Sequence, residues 1–248
     1  MQKKIAHITD THLGDKTALD RGINPKKNLK GVLETIAANA VDELVFTGDL
    51  GEENNYEWFF KTLDKYKPGF KIVLGNHDNY GEASKYFKNY KTVGEGELYY
   101  SYEDEMCKYI FMDSSSSFIS PAQLKWLKDE MATTRRIVVF IHHPVIGIPT
   151  GVDTAYPLHN RDEVAAILQQ SKSVVNVFCG HYHMPDNRQQ GKINQYVTPA
   201  VSFQVKKFSP TIEIESGTFG FRIITITETA IKSRLIINNY DGFIPEKF

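Results

Sequence analysis

The sequence predicts an α/β fold, because strand-like runs and amphipathic helical stripes alternate over its first two-thirds. Its last third reads almost wholly as strands, so the sheet is expected to be mixed and antiparallel toward the end. Residues 4–9 form the first apolar run and end at Asp10-Thr11-His12. Asn24-Pro25 then offers an N-cap with proline at the first helical position. Behind it Leu29, Val32, Leu33, Ile36, Ala37 and Ala40 recur at helical spacing. Residues 43–47 are the next strand and stop at Gly48-Asp49. A second stripe, Tyr56, Phe59, Phe60, Leu63 and Tyr66, is closed by Pro68-Gly69. Strand 70–74 then ends at Gly75-Asn76-His77-Asp78. Three β–α units in succession imply right-handed parallel crossovers.

Two strands follow, at 98–102 and 109–112. Ser120 to Gln123 reads as a capping box for a helix with Leu124, Leu127 and Met131 inward. Strand 137–141 ends at His142-His143-Pro144, and residues 145–159 form a loop long enough to suggest a functional role. Asn160 to Glu163 is another capping box, before a helix carrying Val164, Ile167 and Leu168. Strand 174–179 ends at Gly180-His181-Tyr182-His183. Beyond Gly191, strands are expected at 192–197, 200–206, 211–215, 219–227 and 231–238. With no repeat or linker, residues 1–248 read as one domain.

The composition narrows the function classes. The 248 residues carry 29 Lys+Arg against 30 Asp+Glu, a formal charge of −1. No basic excess draws in a nucleic acid polymer or an anionic membrane. The two cysteines, Cys107 and Cys179, cannot form a disulfide framework, which suits a reducing, cytoplasmic setting. The start, two lysines leading into a strand, lacks the features of a signal peptide. No apolar run nears the roughly 18 residues of a membrane span.

Five expected strands thus end in Asp-x-His, Gly-Asp, Gly-Asn-His-Asp, His-His-Pro and Gly-His-x-His. In an open α/β sheet ligands bind outside the carboxyl ends of strands, so these groups should converge. Carboxylates, imidazoles and one carboxamide, without thiolate, suit divalent Mn, Zn or Fe. Glycines 48, 75 and 180 are expected to let the backbone turn sharply before each polar residue. Each motif alone is weak, and the plain alternative is turn residues and satisfied surface histidines. All five in order, each after an apolar strand, are specific.

This set resembles the calcineurin-like metallophosphoesterase family, whose signature is D-x-H, GD, GNH-[DE], H and GH-x-H, over roughly residues 5–200. Within it the chain is similar to class III cyclic nucleotide phosphodiesterases and related glycerophosphodiesterases. Softer matches are the segments 22–33, 112–126 (Asp-Ser followed by Gln-Leu-x-Trp) and 197–204. The resemblance implies a four-layer αββα sandwich with a β-rich C-terminal third. It implies that Asp10, His12 and His183 bind one divalent metal, that Asn76, His142 and His181 bind a second, and that Asp49 bridges them. His142 is chosen over His143 as the first histidine of His-x-Pro. His77 is the implied catalytic imidazole at the phosphate. The segment around Ser114–Ser117 lacks the longer glycine- and histidine-bearing loop often found there in the family.

The expected chemistry follows from why phosphodiesters resist water: an anionic phosphate repels an anionic nucleophile, and the leaving alkoxide is poor. Two metals about 3.5–4 Å apart neutralise the phosphate oxygens and make a bridging hydroxide available near neutral pH. His77 is expected to hydrogen-bond a phosphate oxygen or protonate the leaving oxygen. Asp78 is expected either to accept from the other ring nitrogen of His77 or to cap the following helix. The expected substrate is a small phosphodiester, of cyclic nucleotide or glycerophosphodiester type. The alternatives are a phosphomonoesterase on the same site and a non-catalytic scaffold that would lack ligands. The GNHD form, with no arginine in the next 25 residues, argues against the protein phosphatases of the superfamily. A homodimer through the β-rich third is suggested by analogy only.

The remaining candidates read more plainly. His7 alternates with Ile5 and Thr9 and is expected in the core or at an interface. His143 either touches substrate or bonds nearby groups, and His159 reads as surface. Asp153 and Tyr156 could shape a pocket from the long loop. Cys179 is expected as a small buried residue, and Ser114–Ser117 either lines the site or forms a polar turn.

Overall fold

A computed structural model gives the structure and describes residues 1–66, 69–87, 92–209, 211–239 and 242–245, so Pro68 lies outside the described residues. The first three parallel units begin with β1 (Gln2–Ile8), then short helix α1 (Lys16–Leu19) and α2 (Pro25–Ala38). They continue with β2 (Glu43–Thr47), α3 (Tyr56–Leu63), β3 (Phe70–Val73) and the single turn α4 (Tyr80–Ala83). The chain then builds β4 (Tyr100–Glu103), β5 (Cys107–Met112), α5 (Pro121–Glu130), β6 (Arg136–Ile141), α6 (Gly151–Ala155), α7 (Arg161–Leu168) and β7 (Val175–Cys179). It continues with β8 (Asp186–Gln190), β9 (Ile193–Val197), the small pair β10 (Gln204–Val205) and β11 (Ile214–Glu215), and β12 (Phe219–Thr227), β13 (Ile231–Asn239) and β14 (Gly242–Pro245).

The strands form two six-stranded mixed sheets, ordered β14-β13-β12-β1-β2-β3 and β4-β5-β6-β7-β9-β8. The last third is therefore divided: β12 returns antiparallel to β1, whereas β9 pairs parallel with β7. Alternation along the strands makes the layers. On β5, β6 and β7, Tyr109, Phe111, Val138, Phe140 and Phe178 join the core shared with the first sheet. Their alternate neighbours Ile110, Val139, Ile141 and Val177 pack with Leu127 of α5 and Val164 and Leu168 of α7. On the other side Phe46 of β2 meets Phe59 of α3, with ring centroids 4.8 Å apart. The result is the αββα arrangement, with Tyr56, Phe59 and Phe60 in the core. Among the described residues no helix is long and apolar enough to cross a membrane.

Departures from the sequence expectation have local causes. The expected strand 200–206 shrinks to Gln204–Val205, because residues just before it are engaged elsewhere. Val201 N donates to Thr9 O and Ser202 N to Asp10 O, while Asn28 Nδ2 donates to the carbonyls of Val201 and Ser202. Asp186–Gln190 is an edge strand without an apolar alternation to mark it. The loop 145–159 contains α6, capped by the Thr150 side chain. Asn160 does not cap α7; its amide exchanges hydrogen bonds with the backbone of Ile119. Ser120 caps α5, but the Gln123 side chain turns to the backbone of Asp113 instead of completing a box.

His7 lies between the sheets, fully buried, edge-on to Phe140 and Phe178 and hydrogen-bonded to Thr47 and Thr198. Burial, aided by the nearby Arg222 charge, lowers its pKa to about 3. Below about pH 6.5 the unfolded chain takes up a proton here that the folded chain refuses, so stability falls as pH drops toward 3. The slope from this group is about 1.4 kcal/mol per pH unit in that window. Urea denaturation at pH 7, 6, 5 and 4 should show a shallower loss for His7→Asn than for the wild type. An unchanged slope would assign the acid sensitivity to other groups.

Candidate metal centre

All five polar motifs follow parallel strands, β1, β2 and β3 in one sheet and β6 and β7 in the other. Their carboxyl ends meet at one rim. The connecting loops are tied directly: Asp10 N donates to Gly48 O, His12 N to Asp49 O and Gly180 N to His142 O, each at 3.0 Å. Turning side chains inward so soon after a strand requires unusual backbone. Among the described residues, Asp10, His12, Asp49, His181 and His183 are five of the seven non-glycine residues with positive φ. Each such residue costs on the order of 1–2 kcal/mol, and strain of this kind gathers at functional sites.

The glycines differ from the expected role in an instructive way. Gly48 has φ +94° and does turn the chain. Gly75 and Gly180 are outside the positive-φ set and serve clearance instead. A Cβ on Gly75 would stand 2.2 Å from Asp49 Oδ1, and one on Gly180 2.0 Å from Thr9 Oγ1 and 2.4 Å from Asp10 Oδ2.

Two groups of potential ligands result. Asp10, His12, Asp49 and His183 offer atoms all within 4.8 Å of one another, and Asp49, His142 and His181 do the same. Asp49 belongs to both. Its Oδ2 lies 3.4 Å from His12 Nε2 and 3.4 Å from His142 Nε2, while Oδ1 accepts from His77 N at 3.0 Å. His183 Nε2 is 3.3 Å from Asp10 Oδ1 and 3.0 Å from His12 Nε2.

Outer partners fix the rings. His142 Nδ1 donates to Thr47 O at 2.7 Å, His183 Nδ1 to Phe203 O at 2.9 Å and His181 Nε2 to Tyr156 O at 2.8 Å. Because a carbonyl only accepts, each of those nitrogens carries a proton, which leaves the other ring nitrogen as the one able to offer a lone pair to a metal. His12 Nδ1 faces the Asp15 carboxylate at 3.7 Å. The Asp10 carboxylate is held by Thr9 Oγ1 and by His181 N.

The donor set fits divalent metal ions on three counts. Asp49 Oδ2, Asn76 Oδ1 and His142 Nε2 are buried with no hydrogen-bond partner, three orphaned ligand atoms at one place. Such groups are costly unless something else satisfies them. Burial lowers His12, but Asp15, Asp49 and Asp10 raise it to about 10. Burial likewise opposes Asp49, which raises His142 to about 9. In spite of burial, Asp49 itself is held well below the carboxylate range by His142 and His12. A centre that keeps its carboxylates ionised and draws positive charge onto imidazoles is arranged for cations, with protons competing for the ligands. The oxygen and imidazole donors suit Mn, Zn or Fe.

His77 is the exposed member of the group. It lines a cavity of about 370 Å³ with His12, Asp49 and Asn76, its ring centroid 5.1 Å from that of His12. Apolar side chains, Val152, Tyr156, Phe203, Val205, Ile212 and Ile214, make up much of the rest of its lining. Asp78 corrects both expectations for it. Among the described residues its carboxylate accepts from the backbone N–H of Asp49, Leu50 and Gly75, so it ties two motif loops together and leaves the His77 ring alone. The following helix α4 is capped by Asn79.

The remaining candidates fall into place around this centre. His143 is fully buried and hydrogen-bonds the hydroxyls of Ser114 and Ser117, so it supports the rim from behind. His159 is exposed. Cys179 is buried, which pushes its thiol well up and keeps it protonated. Sequence reasoning missed Asp15, the carbonyls of Thr47, Phe203 and Tyr156, and most of the apolar wall. Backbone carbonyls leave no mark in a sequence, and Asp15, three residues beyond His12, was the one legible signal.

Comparison with known proteins identifies the family and the fold. Residues 3–185 match the model of the family described as calcineurin-like phosphoesterase. The chain is 29% identical over 241 residues to a protein of Fibrobacter succinogenes named probable cyclic nucleotide phosphodiesterase, covering 95% of this chain and 94% of that one. It is 27% identical over 216 residues to a protein of Arcobacter nitrofigilis named probable glycerophosphodiester phosphodiesterase, covering 81% and 79%. In fold it is similar to a dimetal phosphatase from Danio rerio, with a TM-score of 0.69 at 14% identity over 93% of this chain and 98% of that one.

Gly180→Ala should destabilise the protein by about 1–3 kcal/mol, as overpacking does, and should lower its metal content. Urea denaturation and elemental analysis check both. A stable, fully metal-loaded variant would contradict the clearance role.

Proposed function

The chain belongs to the calcineurin-like phosphoesterase family, and from that membership we propose that it hydrolyses a small phosphodiester at a pair of divalent metal ions. Asp10, His12 and His183 would hold one ion, Asn76, His142 and His181 the other, with Asp49 shared. The observation that carries this reading is Asp49 standing in both ligand groups beside the orphaned atoms of Asn76 and His142. Such a pair of ions supplies charge neutralisation for the phosphate and a nucleophile at neutral pH. Residues 1–248 are read as one domain, since the ligands come from both sheets.

The chain's own residues divide the remaining work. His77, exposed at the cavity and next to a ligand, hydrogen-bonds a phosphate oxygen or delivers a proton to the leaving oxygen. Asp78 keeps the His77 loop against the Asp49 loop. The apolar part of the lining takes the organic substituent of the phosphate. Among the described residues lining the cavity none is Lys or Arg, so a second anionic group finds no counter-charge there. That favours a diester over a monoester, and a substituent with an apolar face, as in a cyclic nucleotide, over glycerol.

Purified, Mn²⁺-loaded protein should hydrolyse cyclic AMP or another diester faster than nucleotide and sugar monoesters in a product screen. Hydrolysis of monoesters alone would overturn the diester reading. His77→Ala should lower kcat by about 10²–10⁴ with metal content intact. Asp49→Ala should lose the metal and with it the activity, and full activity in Asp49→Ala would sink the assignment.

A further inference from the structure

The residue between the two histidines of Gly180-His181-Tyr182-His183 is a buried tyrosine that the reaction does not use. Tyr182 is fully buried in the core under the second sheet, and its hydroxyl donates to the Asp153 carboxylate on α6. Arg161, at the start of α7, donates to the same carboxylate oxygen. The Arg161 guanidinium lies against Gly147, where a Cβ would come within 2.7 Å of its central carbon. The short helix α6 is thereby fastened at its middle, and about one turn later Tyr156, the residue that caps its C-terminus, presents its carbonyl to His181 Nε2 at 2.8 Å. Val152 and Tyr156 of the same segment form part of the cavity wall.

We propose that Asp153 is a positioning residue: by joining Tyr182, Arg161 and α6, it holds the Tyr156 carbonyl against His181 and so fixes which ring nitrogen His181 offers to a metal. The chain of contacts is closed. Tyr182 leaves the same loop as His181, crosses to Asp153 and returns through the Tyr156 carbonyl to the His181 ring. An imidazole held this way donates from Nε2 and keeps Nδ1 as the lone pair. Released from that carbonyl, the ring is free to take the other tautomer, and the second ligand group loses a donor. Asp49, His142 and Asn76 are untouched by the change, as is the group of Asp10, His12 and His183. The loss should therefore fall on one metal and not on both.

The inference rests on His181 being a ligand, and the test separates the two ideas. Tyr182→Phe removes one hydroxyl with nearly the same buried volume, and Asp153→Ala removes the hub. Calorimetric titration of the metal-free proteins with Mn²⁺ should give one affinity close to wild type and a second weakened about 10–100-fold. The ¹⁵N signals of the His181 ring in the metal-free variants should shift toward the other tautomer. Thr154→Ala, on the same helix, should leave both metal affinities and the ring signals unchanged. The double variant Tyr182→Phe/Asp153→Ala should lose no more than Asp153→Ala alone. Two wild-type affinities in Tyr182→Phe and Asp153→Ala, with His181→Ala losing one metal, would overturn the positioning role alone. Two metals retained in His181→Ala would overturn the ligand reading itself.

Discussion

A carboxylate buried where two sheets meet, with one oxygen unsatisfied, is the constraint around which this protein is arranged. Asp49 is 1% exposed, its Oδ1 taken by the His77 amide and its Oδ2 facing two imidazoles. A buried charge of this kind is tolerable only when paired or coordinated. Everything nearby acts to bring positive charge or lone-pair donors to the same spot. The parallel strands aim five loops at one rim, and backbone carbonyls each hold one nitrogen of the His142, His181 and His183 rings. Asp78 then staples the Asp49 and Gly75 loops through backbone amides.

Five ligand candidates hold left-handed backbone, and Gly75 and Gly180 leave no room for a side chain. Such local costs persist only where the surroundings over-determine the geometry. Here the surroundings are two apolar cores, one shared by both sheets with α2 and α3, the other under α5 and α7. Imidazoles and carboxylates line part of the cavity and apolar side chains much of the rest, with His77 exposed. In the proposed reaction the polar part would hold a phosphate while the apolar part would take its organic group.

Much of this was legible in the sequence, for a physical reason. Strands ended by Asp10, Asp49, Asn76, His142 and His181 advertise themselves because a continuous apolar, buried run stops abruptly at a polar residue. Helices α2 and α3 were legible from their apolar stripes, whereas the four-layer arrangement followed only from the family resemblance. What stayed hidden depends on contacts that carry no periodicity. Asp78 could be read as orienting a ring or capping a helix, and only tertiary geometry shows it gripping three amides. Asn160 fits a capping pattern, yet the loop at Ile119 claims its amide. The strand expected at 200–206 is mostly an arm beneath β1, because Thr9 and Asp10 offer carbonyls there. The Tyr156 carbonyl and the wall from Phe203 to Ile214 come from segments that the sequence marks only as loop or strand.

In the proposed centre Asp49 would join two ions. Electron paramagnetic resonance of the protein titrated with Mn²⁺ tests it directly, since ions sharing a carboxylate about 3.5–4 Å apart couple through exchange. At two equivalents the isolated six-line spectrum should give way to the broad multiline signal of a coupled pair. Two equivalents of uncoupled six-line Mn²⁺, or saturation at one equivalent, would contradict the account.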